Sequence, residues 1–415
     1  MLENTQTVTV NDRTYNWPDR PLVVVCIDGS QPEYIEEAAA AGEIPFMAEM
    51  LARGADLRAD CVVPSFTNPN NLSIVTGAPP AVHGISGNYF LDPDSGEEVM
   101  MNDARFLRAD TIFKAFHNAG AKITIVTAKD KLRGLLGHGL DFSAGRAICF
   151  SSEKADQTTL ADNGIDNAQA FVGRPVPSVY SAELSEFIFD AGVKLMERDR
   201  PDLMYLSTTD YIQHKHAPGT PVANAFYNMM DGYLGKLDAM GATLALTADH
   251  GMNAKHTEIG EPDVIFLQDV LDDRLGSGEA RVILPITDPY VVHHGALGSF
   301  ATIYVRDEDR VPELLEALRS MEGILYALDR EGGCREFELP EDRMGDIIVV
   351  SGLHKVLGTS VDRHDLSALE EPLRSHGGIT EQRVPLVFSR PVRAAVGLGR
   401  LRNYDIYDVA LNHVE

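Results

Sequence analysis

Cysteine is scarce in this chain. The four cysteines among 415 residues, Cys26, Cys61, Cys149 and Cys334, lie far apart and form no C-x-x-C pair. Such a set cannot build a disulfide framework, and free thiols in a reducing compartment are expected. Basic residues are also few: 36 Lys and Arg stand against 62 Asp and Glu, for a formal net charge of -26. That balance leaves no basic footprint for nucleic acid or for an anionic membrane. No apolar run reaches the roughly 18 residues needed to span a bilayer. The opening segment MLENTQTVTVNDRTYNWPDR is polar and lacks the basic-then-apolar order of a signal peptide. The expectation is a cytoplasmic protein with neither nucleic acid nor membrane as partner. Internal repeats and low-complexity tracts are missing as well.

What the chain does have is a 44% apolar fraction, enough to bury a substantial core. At 415 residues it exceeds one ordinary domain, so a large core with an inserted second unit is expected. Short apolar runs alternate with segments of helical spacing, which predicts an α/β fold with a mainly parallel sheet flanked by helices. Strands are expected at 21–27, 121–128, 203–209, 242–248, 345–351 and 384–390. Helices are expected at 44–54 with Gly54 as C-cap, at 110–119 with Asp110 as N-cap, at 181–198 and at 221–240. After about residue 256 the rhythm changes, and GSFATIYV, VPELLEALRSM and GILYALDR read as a β-α-β unit over 299–330. Residues 257–344 are therefore read as an inserted smaller α+β cap. Residues 1–256 and 345–415 are read as the core, with the strand at 345–351 returning the chain to it.

Three apolar runs end in acidic residues. Asp28 follows PLVVVCI, Asp210 follows DLMYLSTT, and Asp249 with His250 follows ATLALTA. In an open parallel sheet, ligands bind outside the carboxyl ends of the strands, so three carboxylates at one edge point to a metal site. Asp210 and His214 have D-x-x-x-H spacing, which puts both on one helix face, although an exposed structural pair would look the same. DHGM at 249–252 sets two ligand types at one turn, and HGG at 376–378 adds His376 in a glycine loop. Thr67, in PSFTNPNNLSIVTG, stands where a helix begins near Pro69. Ser65 or Thr67 can be a simple cap there. Alternatively, in the positive field of the helix N-terminus, the Thr67 hydroxyl can be deprotonated by a metal and attack phosphorus. Asp28, Thr67, Asp210, His214, Asp249, His250 and His376 together read as the ligand set of a two-metal phosphoryl-transfer site. His83 is read as fixing its loop, and His216, His256, His293 and His294 are given no role.

The segments IDG at 27–29, PSFTNPNNLSIVTGAPPAVHGISGN at 64–88, TDYIQH at 209–214, ADHGM at 248–252 and SHGG at 375–378 resemble the alkaline phosphatase superfamily. Within it they are similar to the nucleotide pyrophosphatase/phosphodiesterase-like branch, over about residues 20–256 and 345–390. The resemblance implies an alkaline phosphatase-like core and two Zn²⁺ per chain. Asp210, His214 and His376 would hold one ion, and Asp28, Asp249, His250 and the Thr67 oxygen the other. Mixed imidazole and carboxylate ligands suit zinc. Asn88 would donate to a phosphoryl oxygen, though a turn asparagine after Gly87 would look the same.

The resemblance further implies a hydrolase that cleaves the carbon–phosphorus bond of a small anionic phosphonate through a phosphothreonine at Thr67. His214 would also face the substrate. Lys129 and Lys131, in TAKDKLRG after the strand at 121–128, would hold a substrate carboxylate, although solvated lysines need no such role. The alternative is a phosphodiesterase or nucleotide pyrophosphatase with the same di-zinc site, which needs an apolar slot for a base. A sulfatase does not fit, because there is no C/S-x-P-x-R motif at Thr67. A non-catalytic metal-binding protein would have no need of Thr67. The oligomeric state, a homodimer included, is not fixed by the sequence.

Overall fold

The computed structural model describes residues 6–287, 295–367, 369, 371–394 and 399–415. At its centre is a seven-stranded sheet. In chain order the strands are β1 (Leu22–Cys26), β2 (Ala55–Asp60), β3 (Ile123–Thr127), β4 (Ala147–Ser151), β5 (Leu203–Ser207), β6 (Thr243–Thr247) and β7 (Arg383–Phe388). Across the sheet they run β2-β7-β6-β1-β5-β3-β4, and only β7 is antiparallel to its neighbours. The sheet is thus mainly parallel, as expected.

β1, β3, β4, β5 and β6 are buried at every residue, which is why they read as unbroken apolar runs. Alternate side chains feed two cores. Val23 and Val25 of β1 join one, while Leu22, Val24 and Cys26 join the other. The helices that cover them include α1 (Thr67–Thr76), α2 (Ile112–Asn118), α3 (Glu183–Asp199), α4 (Tyr211–Lys215), α5 (Pro221–Ala239) and α6 (Ile406–Asn412). α3 buries Leu184, Phe187, Ile188, Ala191 and Leu195 at helical spacing, together with Phe226, Tyr227, Met230 and Leu234 of α5. On the opposite face, α1, α2 and α6 supply Leu72, Ile112, Phe113, Phe116 and Tyr407. Each such side chain, fully buried, contributes roughly 1.5–3 kcal/mol.

Two expectations are corrected. The cap of α2 is Thr111, whose hydroxyl accepts from Lys114 N at 3.0 Å, while Asp110 pairs with the Lys114 ammonium instead. Ile347–Ser351 does not return to the central sheet. It pairs antiparallel with Phe300–Val305 and Ile324–Asp329, in a separate four-stranded sheet completed by Ala280–Ile283. The smaller sheet therefore takes strands from both sides of residue 344. Its own core includes Val282, Phe300, Ile303, Leu314 and Ile348.

Candidate active site

The sheet register builds the site. Cys26 lies opposite both Ser207 and Thr247, and Thr127 lies opposite Ser207, so these strand ends are level. Asp28, Asp210 and Asp249 follow just beyond their strands, and their carboxylates gather at one edge. Because β7 runs the other way, the loop carrying His376 enters from that edge too. β2 ends there and leads on to Thr67. Two glycines permit the close approach. At Gly29 (φ +72) a Cβ would lie 3.1 Å from the Cβ atoms of Asp210 and Gln213. At Gly377 (φ +124) it would meet the Phe66 ring at 2.5 Å.

Two buried sets of ligand atoms converge, Asp28–Asp249–His250 and Asp210–His250–His376, each within 4.8 Å. His250 Nε2 is 3.2 Å from Asp28 Oδ1 and 3.8 Å from Asp249 Oδ2. Asp210 Oδ2 is 2.9 Å from His214 Nε2 and 3.8 Å from His376 Nε2. The rings of His250 and His376 stack with centroids 3.6 Å apart. His214 thus joins the cluster through Asp210, and His250 belongs to both converging sets.

The outer nitrogens of the three histidines all face backbone carbonyls. His214 Nδ1 bonds Arg374 O at 2.8 Å, His376 Nδ1 bonds Ser65 O at 2.7 Å, and His250 Nδ1 bonds Gly251 O at 2.9 Å. A carbonyl only accepts, so each Nδ1 carries a proton, and it is Nε2 that would give up any proton of its own to an incoming cation and present the lone pair that binds metal. Asp28 Oδ1 and His250 Nε2 are buried, face each other at 3.2 Å and have no well-formed hydrogen bond to any other group. Buried polar atoms this poorly satisfied carry a cost that a cation between them would remove. The donor set fits divalent metal ions.

Electrostatics agree. Burial pushes Asp28 well above the usual carboxylate range, and the charges of Asp210 and Asp249 push it further. Burial raises Asp249 too, against the pull of His250. Burial disfavours charge on His250, but Asp249 and Asp28 outweigh it and lift the imidazole to about 10. Asp210 resists burial and is held well below the usual range by His214, then Lys129 and His376. Three carboxylates this close and this buried call for positive charge among them.

Every residue of α1 is buried except Thr67, which opens toward solvent. Phe66 is the N-cap and no side chain caps the helix, so simple capping accounts for neither Thr67 nor Ser65. Ser65 instead donates to Gly378 O at 2.9 Å and accepts from Gly377 N at 3.0 Å. Asn88 Oδ1 accepts from Asn68 N at 3.0 Å, which leaves its NH₂ group without a partner among the described residues. The charge of Lys129 is felt at Asp210, in line with the register. Lys131 stands half-buried in the first turn of the helix Asp130–Leu136.

Several residues passed over in the sequence tie the ligands together. Asn71 donates to Asp249 Oδ2 at 3.2 Å and to Thr67 O at 3.0 Å, and its own Oδ1 accepts from Tyr205 at 2.7 Å. Lys255 is wholly buried and bonds Glu381 Oε1 at 2.9 Å and Leu353 O at 2.8 Å. Glu381 in turn receives Gly378 N on its carboxylate and Gly251 N on its carbonyl. Asn71 left a faint signal, one helical turn after Thr67. The others meet backbone atoms or side chains far away in the sequence and left none.

His83 fixes its loop as expected. It is fully buried, accepts from Ile85 N at 3.1 Å and donates to Ser73 Oγ at 2.8 Å. The carbonyl of His216 accepts from Tyr34 at 2.7 Å, and His256 bonds its neighbour Thr257 O. His293 and His294 lie outside the described residues. All four cysteines are buried and unpaired. No described helix is long and apolar enough to cross a membrane.

A family model for type I phosphodiesterase / nucleotide pyrophosphatase matches residues 22–378. The chain belongs to that family, in the alkaline phosphatase superfamily, which is metal-dependent. Among solved structures it is similar to phosphonoacetate hydrolase from Sinorhizobium meliloti 1021, seen in complex with phosphonoformate and with phosphonoacetate. The TM-score is 0.95, with 60% identity over 98% of both chains. Murine ectonucleotide pyrophosphatase / phosphodiesterase 5 shares the fold, with a TM-score of 0.61 and 17% identity over 93% of both chains. An ectonucleotide pyrophosphatase/phosphodiesterase of Caenorhabditis elegans is 36% identical over 103 residues, 23% of this chain and 13% of that one. Across three curated relatives, a phosphonoacetate hydrolase of Penicillium oxalicum among them, the matches span 13% to 56% of their length.

Proposed function

We propose that the chain is a phosphonoacetate hydrolase, converting phosphonoacetate and water to acetate and phosphate. The observation that supports this most is 60% identity, over almost the whole length, to an enzyme of that name whose crystals hold phosphonoacetate. Two zinc ions, one held by Asp210, His214 and His376 and one by Asp28, Asp249, His250 and Thr67 Oγ, would act as Lewis acids toward the phosphoryl oxygens and the threonine hydroxyl. Thr67 Oγ attacks phosphorus as the carbon–phosphorus bond breaks. That bond has no oxygen leaving group. Its electron pair passes to the methylene carbon and spreads into the neighbouring carboxylate as an enediolate. Lys129 and Lys131 hold that carboxylate and steady the charge moving onto it. Asn88 donates its NH₂ to a phosphoryl oxygen, and His214 faces the substrate. Water protonates the methylene carbon to give acetate, and the hydroxide left behind takes up the proton that Thr67 gave up. Water then attacks the phosphothreonine in line, releasing phosphate and restoring Thr67. A cytoplasmic setting suits the four unpaired thiols.

The family's description favours a second reading, a phosphodiesterase or nucleotide pyrophosphatase with the same ions. Purified protein incubated with phosphonoacetate, a nitrophenyl diester and a nucleotide sugar separates the two. Acetate and phosphate in equal amounts from phosphonoacetate, faster than either ester is turned over, is the expected result. Turnover confined to the esters would overturn the first reading in favour of the second.

A further inference from the structure

Arg374 touches every segment that carries an imidazole of the cluster. Its carbonyl oxygen receives His214 Nδ1 at 2.8 Å. Its guanidinium donates to Gln213 O at 2.9 Å, to Met252 O at 3.2 Å and to Tyr34 Oη at 3.3 Å. Tyr34 donates to His216 O at 2.7 Å, just past the end of α4. Arg374 itself stands two residues before His376, in a short strand, Arg374–Ser375, paired with Asn253–Ala254 beyond the His250 turn. Among the described residues no carboxylate lies within ion-pair distance of it. The guanidinium instead serves carbonyl oxygens, and its planar fork is suited to reaching two at once.

The contacts are uneven across the cluster. α4 is only five residues long and cannot hold its own shape, and its last carbonyls have no partner within the helix. Arg374 supplies partners for both the Gln213 carbonyl and the His214 ring. The His250 turn has other ties, since Gly251 N bonds Glu381 O at 2.7 Å and Asp249 is held by Asn71 and Gly29 N. We propose that Arg374 is a positioning residue that sets the affinity of the ion held by Asp210, His214 and His376. The ion on Asp28, Asp249 and His250 is left to its own ties. This rests on the two-ion reading above.

The test is zinc titration of the metal-free full chain against a chromophoric chelator, with thermal unfolding of the same samples. Arg374→Met removes fork and charge, whereas Arg374→Lys keeps the charge and loses the fork. In both variants one equivalent should weaken, by about 10- to 100-fold for the Met variant and less for Lys, while the other equivalent stays at the wild-type value. The metal-free midpoint should stay close to wild type. If the Met variant does not fold, Arg374→Lys carries the same prediction. Unchanged affinity for both equivalents would overturn the proposal. So would an equal fall in both together with a lowered metal-free midpoint, because that marks a general structural role. Fewer than two equivalents in the wild type would overturn the two-ion reading, and this inference with it.

Discussion

The two halves of the Asp/His cluster are held by opposite kinds of partner. Asp249 receives N–H groups from Gly29, His250 and Asn71, so the carboxylate of one half is fixed by donors, with only His250 beside it giving its Nδ1 proton to a carbonyl, Gly251 O. His214 and His376 give their Nδ1 protons to Arg374 O and Ser65 O, so the imidazole-rich half is fixed by acceptors. A ligand's outer partner has to complement the ligand, and the local backbone supplies whichever group is needed. The two halves should therefore fail separately.

The largest expected effect lies on the carboxylate side. Thr67→Ala should lose nearly all turnover yet keep both metal equivalents, as elemental analysis and phosphate release would show together, and Thr67→Ser should retain some activity. Turnover near the wild-type rate in the Ala variant would mean that water attacks phosphorus directly. Next come the ligands. Asp249→Ala and His376→Ala should each cost several kcal/mol of transition-state stabilisation. Each should lose chiefly the ion of its own half; if either substitution releases both ions alike, the halves are not separate.

The contrast sharpens at Lys129 and Lys131. Ala variants should lose roughly 2–4 kcal/mol, about 30- to 1000-fold in rate, on phosphonoacetate. A neutral nitrophenyl ester has no carboxylate to hold and should be spared. Equal losses on both substrates would assign the lysines to the fold or the general field.

A further effect, on stability and not on turnover, concerns pH. Burial, then the Arg343 charge, pulls His83 from 6.5 to about 3. The unfolded chain therefore binds a proton that the folded chain refuses. Stability is retained above pH 6.5 and lost as pH falls toward 3, by at most about 1.4 kcal/mol per unit. Denaturant melts of the metal-free protein between pH 4 and pH 7 should slope less in His83→Gln than in wild type. Identical slopes would show that other groups set the acid limit.

Asp28, Asp210 and Asp249 could be read from the sequence because strands buried on both faces give apolar runs, and each run stops where the site begins. The same pattern misled at Ile347–Ser351. Five buried residues reveal a strand but not its sheet, and the partners here are strands in the preceding fifty or so residues. β2 reads ADLRAD and is too polar to announce itself as a strand. Asn71, Arg374, Lys255 and Glu381 escaped because backbone atoms or distant side chains are their partners, and spacing does not record these.

The ammonium of Lys255 has one partner on the His376 side of the site and another, Leu353 O, just past the last strand of the smaller sheet. A buried donor left without one of its acceptors costs about 1–3 kcal/mol. The smaller sheet is therefore not an interchangeable part. A chimera that swaps it for another enzyme's, in search of a new substrate, would have to rebuild a carbonyl at the position of Leu353, or accept a weakened anchor under the ligands it meant to keep.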